Sequence, residues 1–146
     1  MEKKLRDILV VATCLIISLP LSSALSQEVK LGALQDTTGA TSDVGKDEAM
    51  GVREAVQYYN DSGGINGKKI RMFQYDYGYR VPEAVTTYKR FRDYDKVVMV
   101  LGWGTGDTEA LSPTINNDKM PYLSSSFSGH LCDPKKTPYN FVYGTD

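Results

Sequence analysis

The segment VVMVLGWGTGDT, residues 97–108, has the residue types and the spacing of a binding site for a small anion. An apolar run ends here, and Trp103, Thr105 and Asp107 follow at alternate positions between glycines, just before a helical pattern begins. The amino end of a helix presents free N–H groups with a partial positive charge. Glycines such as Gly104 let a ligand approach the backbone, and the Thr105 hydroxyl adds a further donor. The segment therefore predicts a site for a carboxylate or another small anion.

A nucleotide is the other anion that glycine loops bind, and the sequence argues against it. The glycines at 102, 104 and 106 alternate, whereas dinucleotide sites use G-x-G-x-x-G with an acidic residue at the end of the next strand. Here the next predicted strand ends in three serines, residues 124–126. The Gly-Lys-Ser/Thr of triphosphate-binding loops is also absent. We therefore predict no nucleotide and no other cofactor.

Two serines after that strand would complete the anion site. Ser126 and Ser128 would add a backbone amide and a hydroxyl, and a hydrogen bond to a charged group contributes about 1.5–3 kcal/mol. The alternative is that these hydroxyl residues only cap helices and turns, and their spacing does not separate the two interpretations. Trp103 either stacks on a ligand or covers the end of the sheet, and its place beside Thr105 favours stacking.

Other chemical motifs are weak. The segment DTTG, residues 36–39, is interpreted as a turn built on Asp and Gly. His130 is the only histidine and has no second ligand at metal spacing, so no metal site is predicted. The nucleophile elbow G-x-S-x-G is missing, and the sequence favours a binding protein over an enzyme.

The elements that position these loops follow from periodicity and turn residues. Strands are predicted at 28–34, 69–75, 97–101, 120–123 and 141–144, the third buried on both faces. A helix is predicted at 47–60, with an apolar face of Ala49, Val52, Val56 and Tyr59. A second helix opens at Pro82, with an apolar stripe of Val85, Tyr88 and Phe91. A third is predicted at 107–116, where Pro113 should kink or shorten it. The alternation predicts an α/β fold with a parallel, doubly wound, Rossmann-like sheet. Three polar loops would then meet at the carboxyl ends of its strands, where such sheets bind ligands.

Composition supports an ordered domain without nucleic acid. The chain has 17 basic and 18 acidic residues, a formal net charge of -1, whereas nucleic-acid-binding domains carry a basic excess. Ten Tyr, four Phe and one Trp predict an ordered core. The aromatic residues of YDYGY, residues 75–79, are interpreted as packing residues.

The first 26 residues are predicted to be a cleaved secretory signal peptide. MEKKLR is basic, residues 8–19 are apolar but too short to span a bilayer, and Ala24 and Ser26 suit a cleavage site. Secretion predicts a periplasmic protein of residues 27–146. Cys132 would then be its sole cysteine, either buried and inert or paired with a residue outside this chain.

The segment VKLGALQDTTGATSDVGKDEAMGVREAVQYYNDSGGINGKKI resembles the start of the solute-binding proteins of branched-chain amino acid ABC transporters. NDSGGINGKK is its most specific part, and the similarity runs from about Val29 to Asp146. The resemblance implies the N-terminal lobe of a type I periplasmic-binding fold. In that fold two α/β lobes close on a solute without catalysis, and the protein delivers the solute to an ABC permease in the inner membrane.

The resemblance also assigns roles to site residues. Thr105 matches the hydroxyl that binds the ligand carboxylate, Ser126 and Ser128 match the groups that complete its binding, and Val44 matches a residue that packs on the ligand side chain. The sequence departs from the family's pattern at Tyr77, where an acidic pair is common, and at Ser128, where Thr is frequent. The Gly-Trp-Gly of the third loop is a further departure. These departures leave four classes of ligand possible: an amino acid, another carboxylate, an aromatic acid and an amide.

The length of the chain matches one lobe. About 120 residues follow the predicted signal peptide, which is the size of a single α/β lobe. The second lobe, which in the family supplies the acidic residue for the ligand's amino group, is expected to lie outside this chain, so that the chain is a truncated product or a fragment. Alone, it is expected to bind solute weakly or not at all. A secreted ligand-sensing domain of the same fold is the alternative function.

Overall fold

The computed structural model describes residues 28–144, so the predicted signal peptide lies outside the described residues. The strands are β1 (Val29–Gln35), β2 (Ile70–Asp76), β3 (Met99–Gly102), β4 (Tyr122–Ser124) and β5 (Asn140–Val142). The helices are α1 (Ser42–Asp61), α2 (Val81–Arg90) and α3 (Thr105–Asp118), with a π-helical turn at Phe91–Asp95 and a 3-10 turn at Gly129–Cys132. The strands pair in parallel in the order β2-β1-β3-β4-β5, which confirms the predicted parallel α/β sheet.

The main core lies between the sheet and the pair α2 and α3. Tyr88 of α2 and Ile115 of α3 are fully buried and pack in one cluster with Val100 of β3. Phe91 packs flat on β1 at Gly32, where an added Cβ would lie 2.6 Å from the ring. The predicted apolar stripe of α2 is therefore confirmed, and it extends into the turn that follows the helix.

The opposite face of the sheet carries α1. Ala49 is buried and Val52 and Val56 are half-buried against the sheet. Tyr59 lines the same apolar groove as Val52 and Val56, as the predicted face requires, but is 56% exposed. The prediction that β3 is buried on both faces is also wrong, because Leu101 is only half-buried at an apolar groove beside α1. A single helix of the described residues covers this face, whereas two cover the other.

Helix α1 begins at Ser42, five residues before the predicted start. The cause is Asp36, whose carboxylate accepts hydrogen bonds from the Gly39 amide at 2.5 Å and from the Thr41 amide at 2.8 Å. These bonds hold the loop after β1 in a compact turn that ends at Thr41, so the helix begins at the next residue, Ser42. Gly45 then lies against the Asp36 carbonyl, an approach that a Cβ would block.

Helix α3 continues through Pro113 to Asp118, so the predicted shortening is wrong. Proline removes one donor to the carbonyl four residues earlier, here that of Glu109. Both residues are exposed, so water can satisfy that carbonyl. Asn116 adds a side-chain hydrogen bond to the Ser112 carbonyl at 2.7 Å in the next turn. Within residues 28–144, no helix combines the length and apolar character that crossing a bilayer requires.

Candidate ligand-binding site

A cavity of about 410 Å³ opens at the carboxyl ends of β1, β3 and β4, where the sequence predicts that three loops meet. The chain leaves β1 and β3, which are neighbours in the sheet, for helices on opposite faces, and such a switch point leaves a crevice. The residues that line the cavity are Thr41, Val44, Glu48, Tyr79, Trp103, Gly104, Thr105, Ser125, Phe127 and Tyr143. Four of the six predicted site residues, Val44, Trp103, Gly104 and Thr105, are among them.

Thr105 is the first residue of α3 and lines the cavity. Its Oγ1 lies 3.0 Å from the Ser126 hydroxyl and accepts a hydrogen bond from the Phe127 amide at 3.4 Å. The hydroxyl is therefore held by the loop after β4 at the amino end of the helix. This arrangement suits a carboxylate.

The other two predicted site residues, Ser126 and Ser128, do not line the cavity. Ser126 is fully buried, and its amide donates to the Ser124 hydroxyl at 3.3 Å. Its own hydroxyl accepts the Ser128 amide at 3.2 Å. In this conformation Ser126 contacts the Thr105 hydroxyl, and Ser128 contacts Ser126.

Asp107 is the residue that shapes the third loop, and it was not among the predicted site residues. Its buried carboxylate accepts hydrogen bonds from the hydroxyls of Tyr77 at 2.5 Å and Tyr122 at 2.8 Å. It also accepts the amides of Gly104 at 2.9 Å and Trp103 at 3.4 Å. Burial raises the pKa of Asp107, and the hydrogen bonds act in the opposite direction. An acidic residue in the first helical turn is a sequence signal for the amide contacts, but not for the tyrosines.

Trp103 joins the three loops. Its Nε1 donates to Thr41 Oγ1 at 2.7 Å, and that hydroxyl donates to Asp36 at 2.7 Å. Ser125, in the loop after β4, donates to the Trp103 carbonyl, so all three loops are connected through Trp103. Trp103 is only 9% exposed, so it covers the end of the sheet while also lining the cavity.

Glu48 is the carboxylate of the cavity, and the sequence analysis missed it. It lies one turn after Val44 on α1, is half-buried, and accepts a hydrogen bond from Gln35 Nε2 at 3.1 Å. Burial raises its pKa, and the Gln35 hydrogen bond opposes that shift. The pKa of Tyr143 is also raised, mainly by burial and in part by the charge of Glu48. No residue of the lining is Lys or Arg, so Glu48 gives this described cavity a negative side.

Aromatic and apolar side chains form the rest of the wall. Phe127 is 70% exposed, and Tyr143 and Val44 are more than half exposed at the mouth. Tyr79 has a positive φ of 55° and places its ring over Gly104. The interpretation of the YDYGY aromatics as packing residues holds for Tyr77, which is buried in the core, whereas Tyr79 both packs on Gly104 and lines the cavity.

The remaining candidates lie elsewhere. Cys132 is a half-buried free thiol that donates to the Gly129 carbonyl at 3.2 Å, away from the cavity. His130 is exposed and lies 3.4 Å from Glu109. Within residues 28–144, no group of three His, Cys, Asp or Glu side chains is arranged to hold a metal ion.

Comparison with known proteins identifies the family. Residues 28–146 match the family model described as periplasmic binding protein. The chain is 33% identical over 104 residues to an amino acid binding protein of Pseudomonas aeruginosa, a match that covers 70% of this chain and 27% of that protein.

Solved structures agree in fold. An ABC transporter substrate-binding protein from Aeropyrum pernix is 38% identical with a TM-score of 0.72, over 79% of this chain and 30% of that one. A branched-chain amino acid ABC transporter protein from Thermus thermophilus, solved with bound valine, is 25% identical with a TM-score of 0.78, over 83% and 32%. The chain thus spans between a quarter and a third of each of these proteins, which fits a single lobe. The resemblance seen in NDSGGINGKK is confirmed, and the chain belongs to the periplasmic binding protein family.

Proposed function

We propose that this chain supplies the first lobe of a solute-binding protein, which captures an amino acid or a related small carboxylate or amide in the periplasm. The solute passes to an ABC permease in the inner membrane, and the protein performs no catalysis. The predicted signal peptide, residues 1–26, supports export. The names of the relatives support the solute class, since one is an amino acid binding protein and another was solved with valine.

One observation carries the proposal: Thr105, at the amino end of α3, lines an apolar cavity at the carboxyl ends of the strands. A carboxylate there receives hydrogen bonds from the Thr105 hydroxyl and from the backbone amides of the first turn of α3, while Trp103 and Val44 contact the apolar part of the solute. Ser126 acts through Thr105, whose hydroxyl it contacts, and the Ser128 amide donates to the Ser126 hydroxyl. A second lobe closes the open side and excludes water.

The test is an NMR titration of the ¹⁵N-labelled chain with L-leucine, L-phenylalanine and an amide such as L-glutamine, since chemical shifts report weak binding. Shifts at residues 103–105 that saturate with one of these solutes support the proposal. Thr105→Ala should abolish them, and Thr105→Ser, which keeps the hydroxyl, should restore them. Thr86→Ala on α2, an exposed position outside the cavity, is the matched control. Chemical-shift changes that persist unchanged in Thr105→Ala would overturn the assignment of Thr105 to the ligand site.

A further inference from the structure

Aromatic side chains make up four of the ten residues that line the cavity. These are Tyr79, Trp103, Phe127 and Tyr143, which together form the aromatic wall. Among the described residues of the lining, Val44 is the single aliphatic side chain. The apolar part of a solute in this lobe therefore meets mainly rings.

Three rings of the aromatic wall lie next to Thr105, where the carboxylate is proposed to bind. Tyr79 packs on Gly104, the residue before Thr105, since a Cβ added there would lie 2.3 Å from a ring carbon of Tyr79. Trp103 precedes Gly104 in the same loop, and the Phe127 amide donates to Thr105 Oγ1 at 3.4 Å. A group attached a few bonds from a carboxylate at Thr105 is thus brought among rings from the loops after β2, β3 and β4.

The aromatic wall offers few hydrogen bonds to a polar side chain of a solute. The Trp103 Nε1 already donates to Thr41 Oγ1 at 2.7 Å, and the Phe127 side chain has no polar atom. A polar group of the solute held against these two residues would lose its bonds to water without replacing them. The two residues therefore favour an apolar ring over an amide.

The rings at the mouth have surface free for a solute. Phe127 is 70% exposed and Tyr143 is 55% exposed. They are neighbours, because the Tyr143 amide donates to the Ser124 carbonyl at 3.2 Å and a Cβ on Gly144 would lie 3.2 Å from a ring carbon of Phe127. Adjoining exposed apolar side chains at a cavity are typical of a binding surface.

We infer that the solute carries an aromatic ring, which the aromatic wall binds in preference to an aliphatic side chain of the same size. The inference rests on the proposed function, because it places the carboxylate of the solute at Thr105. It selects aromatic amino acids and aromatic acids among the ligand classes that the sequence leaves open. Its physical basis is that rings attract one another in offset and edge-to-face arrangements beyond the effect of the area they bury.

Matched pairs of solutes test the inference on the whole chain by NMR titration. The pairs are 3-phenylpropanoate with 3-cyclohexylpropanoate, and L-phenylalanine with L-3-cyclohexylalanine. The cyclohexyl member of each pair buries at least as much apolar surface, so burial alone does not favour the phenyl member. A favourable ring pair corresponds to about two- to tenfold in affinity, so the phenyl member should bind at least about threefold more tightly.

A double variant tests whether the rings cause that preference. Phe127→Leu, Tyr143→Leu keeps apolar side chains at two exposed positions and removes two rings, so it should lower the ratio of affinities at least about twofold. Tyr58→Leu is the matched control, because Tyr58 is a 69% exposed tyrosine of α1 outside the lining, and it should leave the ratio unchanged. Thermal melts of both variants confirm that the fold is intact.

The outcomes separate the inference from the proposed function. Equal affinities within each pair, or a preference for the cyclohexyl member, overturn the role of the aromatic wall, while binding that depends on Thr105 keeps the proposed function. A phenyl preference that the double variant leaves unchanged also overturns that role, because the rings would not be its cause. If no member of either pair binds, the proposed function fails and the inference fails with it.

Discussion

The hydroxyl of Tyr77 donates a hydrogen bond of 2.5 Å to the carboxylate of Asp107, and both residues are buried. Tyr77 follows β2 and Asp107 lies in the first turn of α3, so this bond ties the end of one strand to the helix that begins beside the cavity. The same carboxylate holds the Gly104 amide. The position of the Thr105 hydroxyl therefore depends on a contact made thirty residues away in sequence.

Tyr77→Phe should lower the free energy of unfolding by about 1.5–3 kcal/mol, because it removes one hydrogen bond to a buried carboxylate. The ring remains, so packing changes little. Urea unfolding followed by circular dichroism measures the difference. Tyr94→Phe, at a tyrosine that is 78% exposed, is the control and should change stability by less than about 0.5 kcal/mol. A similar loss in both variants would contradict the importance of the Asp107 contact.

Asp76 should make the free energy of unfolding depend on pH in the acidic range. Its carboxylate accepts the Thr38 hydroxyl at 2.7 Å and the amides of Thr37 and Gly78 at 3.0 Å, and these bonds outweigh burial and lower its pKa to about 2. A depressed folded-state pKa contributes stability above the ordinary value of 3.8, and that contribution is lost as pH falls towards 2. Asp76→Asn should therefore be less stable than the native chain at pH 7, and the gap should close near pH 2. A gap that stays constant between pH 5 and pH 2 would rule this out.

Gly104 should tolerate no side chain. Its backbone is extended, with φ −113° and ψ 178°, so alanine is conformationally allowed, but a Cβ would lie 2.3 Å from a ring carbon of Tyr79. Gly104→Ala should cost about 1–3 kcal/mol of stability through overpacking. Gly51→Ala, where nothing lies within 4 Å on α1, should instead stabilise the chain by about 0.4–1 kcal/mol.

A double variant tests whether the Tyr79 ring causes the loss of stability in Gly104→Ala. In the double variant Gly104→Ala, Tyr79→Ala, the space that the new Cβ needs is free, so the cost of the glycine substitution should fall below about 0.5 kcal/mol relative to Tyr79→Ala. Thermal unfolding of the four chains gives the coupling energy. Additive effects would show that the two residues do not oppose each other.

Trp103 should report on the cavity by fluorescence. It is the single tryptophan, it is largely buried, and it lines the cavity. Binding of a solute should change the emission intensity, with the same midpoint as the NMR titration. Thr41→Val removes the acceptor of the Trp103 Nε1 hydrogen bond and should shift the emission even without solute. An emission that is unchanged at saturating solute would place the solute away from Trp103.

Local sequence patterns predicted much of the architecture. The apolar spacing of Val85 and Tyr88, the proline at 82 and the apolar run at 97–101 predicted elements that the structure contains within a few residues. The loops after β1, β3 and β4 meet as predicted, because the carboxyl ends of parallel strands lie on one edge. Helix boundaries failed where a side chain acted over a distance, as Asp36 does at the start of α1.

The sequence alone determined the parallel α/β class, the family, and the place of Thr105 at the amino end of a helix, since these depend on periodicity and on residues close together in the chain. Only the tertiary structure decided that Ser126 is buried beside Thr105, that Tyr79 covers Gly104, and that Glu48 lines the same cavity. The physical reason is that these contacts join residues more than twenty positions apart. Their geometry depends on how the helices pack on the two faces of the sheet, and no local pattern specifies that packing.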